Sequence, residues 1–384
     1  MILDRKHGSE VPLHGGQLRQ ISERFSIQIS DLIDFSANIN PDGLPPGVLS
    51  TLRSSLDEPT VLTSYPDLEE TSLKGALATY CGLTQQHLAV ANGFVPLFEC
   101  ALRTLKIKRC MLPVPAFLEY RRSLTRCGVK IVPQPLTALS GFQYDAHALA
   151  HGDHDAIVLA NPQNPSGVLT SKETLLDLVS RCADRNITVF LDEAFIDYVP
   201  SASLTQDVEQ LNNLVVFRSV TKFHGIPGLR VAYAATNQSL AKLLNENLPP
   251  WPITTLAALA ATAALKDDAF AASTRERNQA RRTQLSNGLE ELGLCTYPSA
   301  ANYLLFQLPE STSPQTFWER MILEHHLVLR NCSNYESLPE GHFRCAVRTE
   351  LENEALVRAI SAVLSGCYEE TELRCDPSKQ MSST

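Results

Sequence analysis

The strongest constraint on this chain is a repeated alternation. Short apolar runs at residues 108–112, 129–132, 156–160, 188–191, 215–218 and 231–235 are separated by segments with helical spacing. Runs that are apolar along their whole length suit strands buried on both faces, and strands alternating with helices pair into a mainly parallel sheet flanked by helices. The expected fold class is therefore α/β. Ahead of the first run, Leu68, Leu73, Ala76, Leu77 and Tyr80 recur with helical periodicity, which predicts helix from about residue 51 to about residue 90. After the last run the alternation gives way to a long helical stretch, residues 253–292, and a strand signal at 302–308, the pattern of a smaller α+β domain. Residues 367–384 are polar and aperiodic and read as a disordered tail.

In an open parallel sheet, ligands collect at the carboxyl ends of the strands, and this sequence concentrates its polar chemistry there. Asn161-Pro162-Gln163-Asn164-Pro165-Ser166-Gly167 follows the run at 156–160, and its prolines and glycine make it a rigid loop. Asp192 and Glu193 close the run at 188–191, and Ser219-Val220-Thr221-Lys222 closes the run at 215–218. From Ser219 to Arg230 two hydroxyls, an amine and a guanidinium surround a turn rich in glycine and proline, a mixture poorly suited to a core. A lysine whose amine pKa is lowered can form a Schiff base with an aldehyde, and Ser219, Thr221 and Arg230 can bind a phosphate. Each residue alone has an ordinary explanation: Lys222 as a surface lysine, Asp192 as a solvated acid, Asn164 as a turn former before proline.

Composition narrows the partners. The 384 residues carry 33 basic and 42 acidic side chains, a formal net charge of -9, so nucleic acid and anionic membrane surfaces are disfavoured and an anion must bind in a local basic pocket. The ten cysteines show no C-x-x-C pair and no regular spacing, which fits a reduced, cytoplasmic setting and neither a zinc ribbon nor a disulfide framework. The Met1-Ile2-Leu3-Asp4-Arg5-Lys6 start lacks the apolar core of a signal peptide, and the longest apolar stretch, 253–265, is too short to span a bilayer.

Taken together, the Asn161–Gly167 loop, Asp192-Glu193-Ala194-Phe195 and the segment from Ser219 to Arg230 resemble the fold-type I pyridoxal phosphate enzymes, close to the histidinol-phosphate aminotransferases, in motif order and spacing. The resemblance implies a large domain at 45–245 and a small domain at 246–366, with residues 1–44 contributing to the small domain and the active site. It implies pyridoxal 5'-phosphate as cofactor, Lys222 as the Schiff-base lysine, and Asp192 as the partner of the ring nitrogen. It further implies Asn164 at the ring's phenolic oxygen and Phe117 stacked on the ring, although a core phenylalanine competes for that position. Gly93 and Phe94 would bind the cofactor phosphate through backbone N–H groups beside Ser219, Thr221 and Arg230, since Phe94-Val95-Pro96 offers no polar side chains. Tyr65 would cross a homodimer interface to the partner's cofactor phosphate. Many relatives carry tyrosine where this chain has Phe195.

Motifs at both ends point further. His14-Gly15-Gly16, Asn38 within Asp34-Phe35-Ser36-Ala37-Asn38-Ile39-Asn40-Pro41, Arg330-Asn331-Cys332-Ser333-Asn334-Tyr335 and Phe343-Arg344-Cys345-Ala346-Val347-Arg348-Thr349 resemble the L-threonine O-3-phosphate decarboxylases within that family. These enzymes make aminopropanol phosphate for the cobalamin nucleotide loop. The resemblance implies Arg344 at the substrate carboxylate and His14, Asn38, Asn164 and Arg330 around its carboxylate or phosphate. His14 as an exposed residue before a Gly-Gly turn and Arg348 as a solvated charge are the plain alternatives. Whether Cα loses carboxylate or hydrogen is not decided by residue identity, so an aminotransferase for histidinol phosphate stays open. A PLP-binding regulator without turnover would need a DNA-binding domain for which this acidic chain has no room.

Overall fold

A computed structural model describes residues 11–375. Its centre is a seven-stranded sheet of β1 (Leu88–Asn92), β2 (Arg109–Val114), β3 (Lys130–Pro135), β4 (Ala156–Ala160), β5 (Thr188–Asp192), β6 (Leu214–Ser219) and β7 (Val231–Ala235), in the spatial order β1-β7-β6-β5-β4-β2-β3. Only β7 runs against its neighbours; the other pairings are parallel. Strand side chains alternate between two cores, with Ile157 and Leu159 joining one and Val158 and Ala160 the other. Both faces are buried under helices, which is why the runs read as continuously apolar. Pro133 and Pro135 lie on β3, at the sheet edge, where the missing N–H groups break no ladder.

The region before β2 departs from the helical expectation. Helix α1 (Thr71–Cys81) ends at Gly82 in the left-handed conformation (φ 69°), and the next apolar run is β1. Leu88-Ala89-Val90-Ala91 is too short for its period to separate strand from helix. The long stretch after residue 253 likewise divides in two, α4 (Thr255–Leu265) and α5 (Asp268–Glu291), because Asp267 caps the second helix by accepting the Phe270 N–H at 2.9 Å.

A second antiparallel sheet contains β8 (Cys295–Thr296), β9 (Tyr303–Gln307), β10 (Arg330–Asn331) and β11 (His342–Ala346), ordered β10-β11-β9-β8. Phe306, Phe317, Trp318 and Phe343 pack its core with helices α6 (Pro314–His325) and α7 (Glu350–Cys375). Helix α7 enters the segment expected to be a tail, since no proline interrupts the chain before Pro377; residues 376–384 lie outside the described residues.

The N-terminal segment bridges the two sheets. Ile33–Asp34 pairs in parallel with Leu327–Val328, and Phe35 O accepts the Ala346 N–H at 2.8 Å. A few residues on, the Asn40 N–H donates to Lys222 O at 3.0 Å and its side-chain amide to Phe223 O at 2.8 Å. The segment thus fastens the smaller sheet to the lysine loop. Among the described residues no helix is long and apolar enough to cross a membrane, and the cysteines from Cys81 to Cys345 are free thiols.

Candidate active site

Strand pairing places Asp192, the last residue of β5, beside Ala160, so the Asn161 loop starts next to it and Asn161 N–H donates to Asp192 O at 2.9 Å. Ser219 ends β6, and Gly93 follows β1 on the same side of the sheet. These carboxyl ends border a cavity of about 470 Å³. It gathers His14, Asn38, Gly93, Phe94, Phe117, Asn164, Asp192, Ser219, Thr221, Lys222, Arg230, Arg330 and Arg344 from distant parts of the sequence. Tyr65 is not among its walls. It is 80% exposed and stacks on Trp251, with ring centroids 4.5 Å apart.

At the inner end, Lys222 Nζ donates to Ser219 Oγ at 3.1 Å. Desolvation pushes the Lys222 amine pKa down to about 8; Arg230 acts in the same direction and Asp192 opposes. An amine in that range is still mostly protonated at neutrality, but its uncharged, nucleophilic fraction is far larger than that of an ordinary lysine. Burial raises the Asp192 carboxyl pKa, while the Tyr120 hydroxyl, Lys222 and a backbone N–H oppose the rise. Asp192 Oδ2 accepts from Tyr120 at 2.6 Å and Oδ1 from Ala194 N–H at 2.9 Å. Tyr120 was not among the residues singled out from sequence, although its place three residues after Phe117 puts both on one side of α3 (Leu118–Arg126).

A dianion cradle adjoins this end. Gly93 has φ +95°, and a Cβ there would lie 2.9 Å from Arg230 Nη2, so glycine is required both for the turn and for the guanidinium's approach. The helix that follows, α2 (Phe94–Thr104), points its N-terminus at the same space. Ser219 and Thr221 hydroxyls sit 2.7 Å apart, and Arg230 Nη1 donates to Pro227 O in a long hydrogen bond of 3.5 Å. Hydroxyls, a guanidinium with N–H groups to spare and backbone N–H groups make the donor set of a phosphate. Together with an aromatic wall at Phe117, the acid at Asp192 and the amine at Lys222, these residues fit pyridoxal phosphate.

The outer end belongs to the bridging segment and the smaller sheet. Arg344 donates from Nη1 to Asn164 Oδ1 at 2.7 Å and from Nη2 to Ser36 O at 3.3 Å, and its guanidinium lies 5.0 Å over the Tyr303 ring. Arg344 Nε and Asn38 Oδ1 are buried without a partner. Arg330 is committed differently from the expectation of a free anion binder. Its Nη1 donates to Pro12 O and Asn331 O, and its Nη2 to Leu13 O and Asn334 Oδ1, so it straps the N-terminal segment across the cavity while lining it. The strap presents His14, where a Cβ at Gly15 would come within 2.0 Å of Ser36 O. His14 Nε2 lies 2.9 Å from Glu119 Oε1, and Glu119 is also paired with Arg122 at 2.7 Å. Burial lowers the His14 pKa and outweighs Glu119, which raises it.

Ser36 and Tyr335 stand in the terminal motifs and Glu119 beside Phe117, but the sequence assigns them no role, because partners in space leave no mark along the chain. Phe195 packs edge-on against Tyr303 at 5.0 Å and has no hydroxyl to offer; the Tyr335 hydroxyl comes within 3.5 Å of Asn164 Oδ1. Arg348 is occupied by Asp34 O and Glu352, and His224 is buried against Phe223 and Tyr80.

Comparison with known proteins bears on the same features. The model of the aminotransferase class I and II family matches residues 30–361. A threonine-phosphate decarboxylase of Salmonella typhimurium is 33% identical over 92% of this chain and 97% of its own length. A histidinol-phosphate aminotransferase of Clostridium acetobutylicum superposes with a TM-score of 0.81 at 26% identity, covering 87% of this chain and 100% of that one. Another from Sinorhizobium meliloti, solved in complex with pyridoxal-5'-phosphate, has a TM-score of 0.77 at 20% identity, covering 86% of this chain and 90% of that one.

Proposed function

Because this chain belongs to the aminotransferase class I and II family, whose cofactor is pyridoxal phosphate, we propose that it decarboxylates L-threonine O-3-phosphate to (R)-1-aminopropan-2-ol O-phosphate, a precursor of the cobalamin nucleotide loop. The observation that carries the reading is the outer end of the cavity, where Arg344, His14 and Asn38 converge opposite Lys222 with Arg330 fixing the strap that carries His14, in a chain similar along nearly its whole length to a threonine-phosphate decarboxylase. That donor set suits a small substrate with two anionic groups.

When bound, pyridoxal phosphate supplies an electron sink for the bond that breaks at the substrate's Cα. Asp192 holds negative charge for the ring nitrogen, Phe117 walls the ring, and Asn164 offers its amide to the ring oxygen while its Oδ1 is held by Arg344. Gly93, Phe94, Ser219, Thr221 and Arg230 hold the phosphate. Arg344, in the cavity wall, receives the substrate carboxylate and orients it. His14 and Asn38 face the substrate's phosphate, with Arg330 fixing the strap that carries His14. Lys222 is the cofactor's attachment point, and its depressed pKa suits it to hold and return a proton at Cα.

A homodimer in the cytoplasm is part of this reading. Tyr65 is too exposed to serve its own site and fits a ligand to the partner's cofactor phosphate. Mixing Tyr65→Phe with Lys222→Ala subunits tests it: heterodimers would hold one intact site and regain activity, whereas a Tyr65 acting within its own subunit predicts no rescue. The similarity to histidinol-phosphate aminotransferases sustains amino transfer as a second reading. Supplied with L-threonine O-3-phosphate and no oxo acid, a decarboxylase turns over many times. An aminotransferase stops after one turnover per site.

A further inference from the structure

We propose that Tyr120 is a positioning residue of the reaction: its hydroxyl holds the Asp192 carboxylate ionised and aimed into the cavity, and thereby sets how firmly the cofactor's ring nitrogen keeps its proton. The inference rests on the cofactor and is independent of the choice between decarboxylation and amino transfer.

Tyr120 lies in the first turn of α3 with 1% of its surface exposed. Phe94, Phe98 and Phe117 meet its ring edge-on at 5.4, 6.1 and 5.5 Å, an apolar cage that fixes the ring and offers its hydroxyl no acceptor. A buried hydroxyl needs a partner, and this one donates to Asp192 Oδ2 at 2.6 Å. Burial and the neighbouring Asp192 charge push the Tyr120 pKa well above the ordinary tyrosine range, so it remains a donor at any working pH.

The groups facing Asp192 come from three directions: Tyr120 on α3, the Ala194 N–H in the turn after β5, and Lys222 in the loop after β6. Tyr144 and Tyr303 are the nearest further titratable groups around the Tyr120 hydroxyl. A hydrogen bond donated to the charged form of an acid stabilises that form. Here it opposes burial, which drives the carboxyl toward protonation. If the hydroxyl is removed, the carboxyl pKa rises, the shared proton moves from the ring nitrogen to Asp192, and the acid limb of the rate profile shifts to higher pH.

Tyr120→Phe retains the caged ring and deletes the donor. In holoenzyme loaded with pyridoxal phosphate labelled with nitrogen-15 in the ring, the signal should move from the protonated toward the unprotonated position. The kcat should fall about 10- to 100-fold with KM nearly unchanged, as expected when a hydrogen bond to a charged group is lost. In an Asp192→Asn background the same substitution should change kcat by less than about 2-fold, because the effect runs through the carboxylate. Incorporating 3-fluorotyrosine at position 120, a stronger donor of nearly the same shape, should shift the signal in the opposite direction. An unchanged nitrogen signal in Tyr120→Phe, or an equal loss of kcat in both backgrounds, would overturn the proposal and leave Tyr120 a packing residue.

Discussion

The two ends of the cavity are built by different means. The inner end is set by strand termini of one sheet: Asp192 closes β5, Ser219 closes β6, and Gly93 follows β1, each position fixed by ladder hydrogen bonds. The outer end is assembled from pieces far apart in sequence: His14 on a strap, Asn38 on the bridging segment, Arg330 and Arg344 on the smaller sheet. A sheet edge can hold electron-sink chemistry rigid, while the strap and the smaller sheet can vary to suit a substrate. In the reading proposed above, the inner end serves the cofactor and the outer end the substrate.

This contrast can be broken most forcefully at Lys222. Lys222→Ala should lower kcat by about 10⁴-fold or more and abolish the covalent chromophore, while weak cofactor binding persists through Asp192 and the phosphate cradle. Trapping the cofactor with borohydride on a different lysine would displace the inner end from its assigned centre.

Arg344→Ala should lower kcat/KM for the phosphorylated substrate by about 10²-fold or more, since truncating one side of a desolvated charge pair leaves the other unpaired. The cofactor should stay attached at Lys222, with at most a small spectral shift through Asn164, whose Oδ1 Arg344 holds. A spectral change with intact kinetics would mean that Arg344 serves the inner end.

Glu119→Gln should have the smallest effect, raising KM about 3- to 10-fold for the loss of one charge-assisted contact to His14. Its pH dependence carries a sign. Glu119 raises the His14 pKa against burial, so removing the carboxylate lowers that pKa further and confines the imidazolium to lower pH. The rise of KM with pH should therefore begin at lower pH in the variant. A shift to higher pH would show that Glu119 does not support His14.

The sequence conveyed the inner end well. All the apolar runs read as strands are strands, and residues beyond the runs at 108–112, 156–160, 188–191 and 215–218 line the cavity, because burial on both faces leaves a continuous apolar signature and strand ends are where polar residues interrupt it. β1 is hidden because Leu88-Ala89-Val90-Ala91, half of it alanine, follows closely on a helical pattern that its own short period cannot be told from. At the outer end, residue types were legible through a family resemblance, but their commitments were not. Arg330 reads as an anion binder and holds backbone oxygens of Pro12 and Leu13, more than 300 residues away in the chain. Glu119 and Tyr120 matter through His14 and Asp192, contacts of tertiary origin with no local pattern.

The most direct measurement asks which bond at Cα breaks. L-Threonine O-3-phosphate carrying carbon-13 in its carboxylate and deuterium at Cα would be turned over by the holoenzyme and its products read by NMR. Decarboxylation predicts labelled carbon dioxide and aminopropanol phosphate that retains the deuterium. Retention of the carboxyl label together with loss of deuterium to solvent would contradict it.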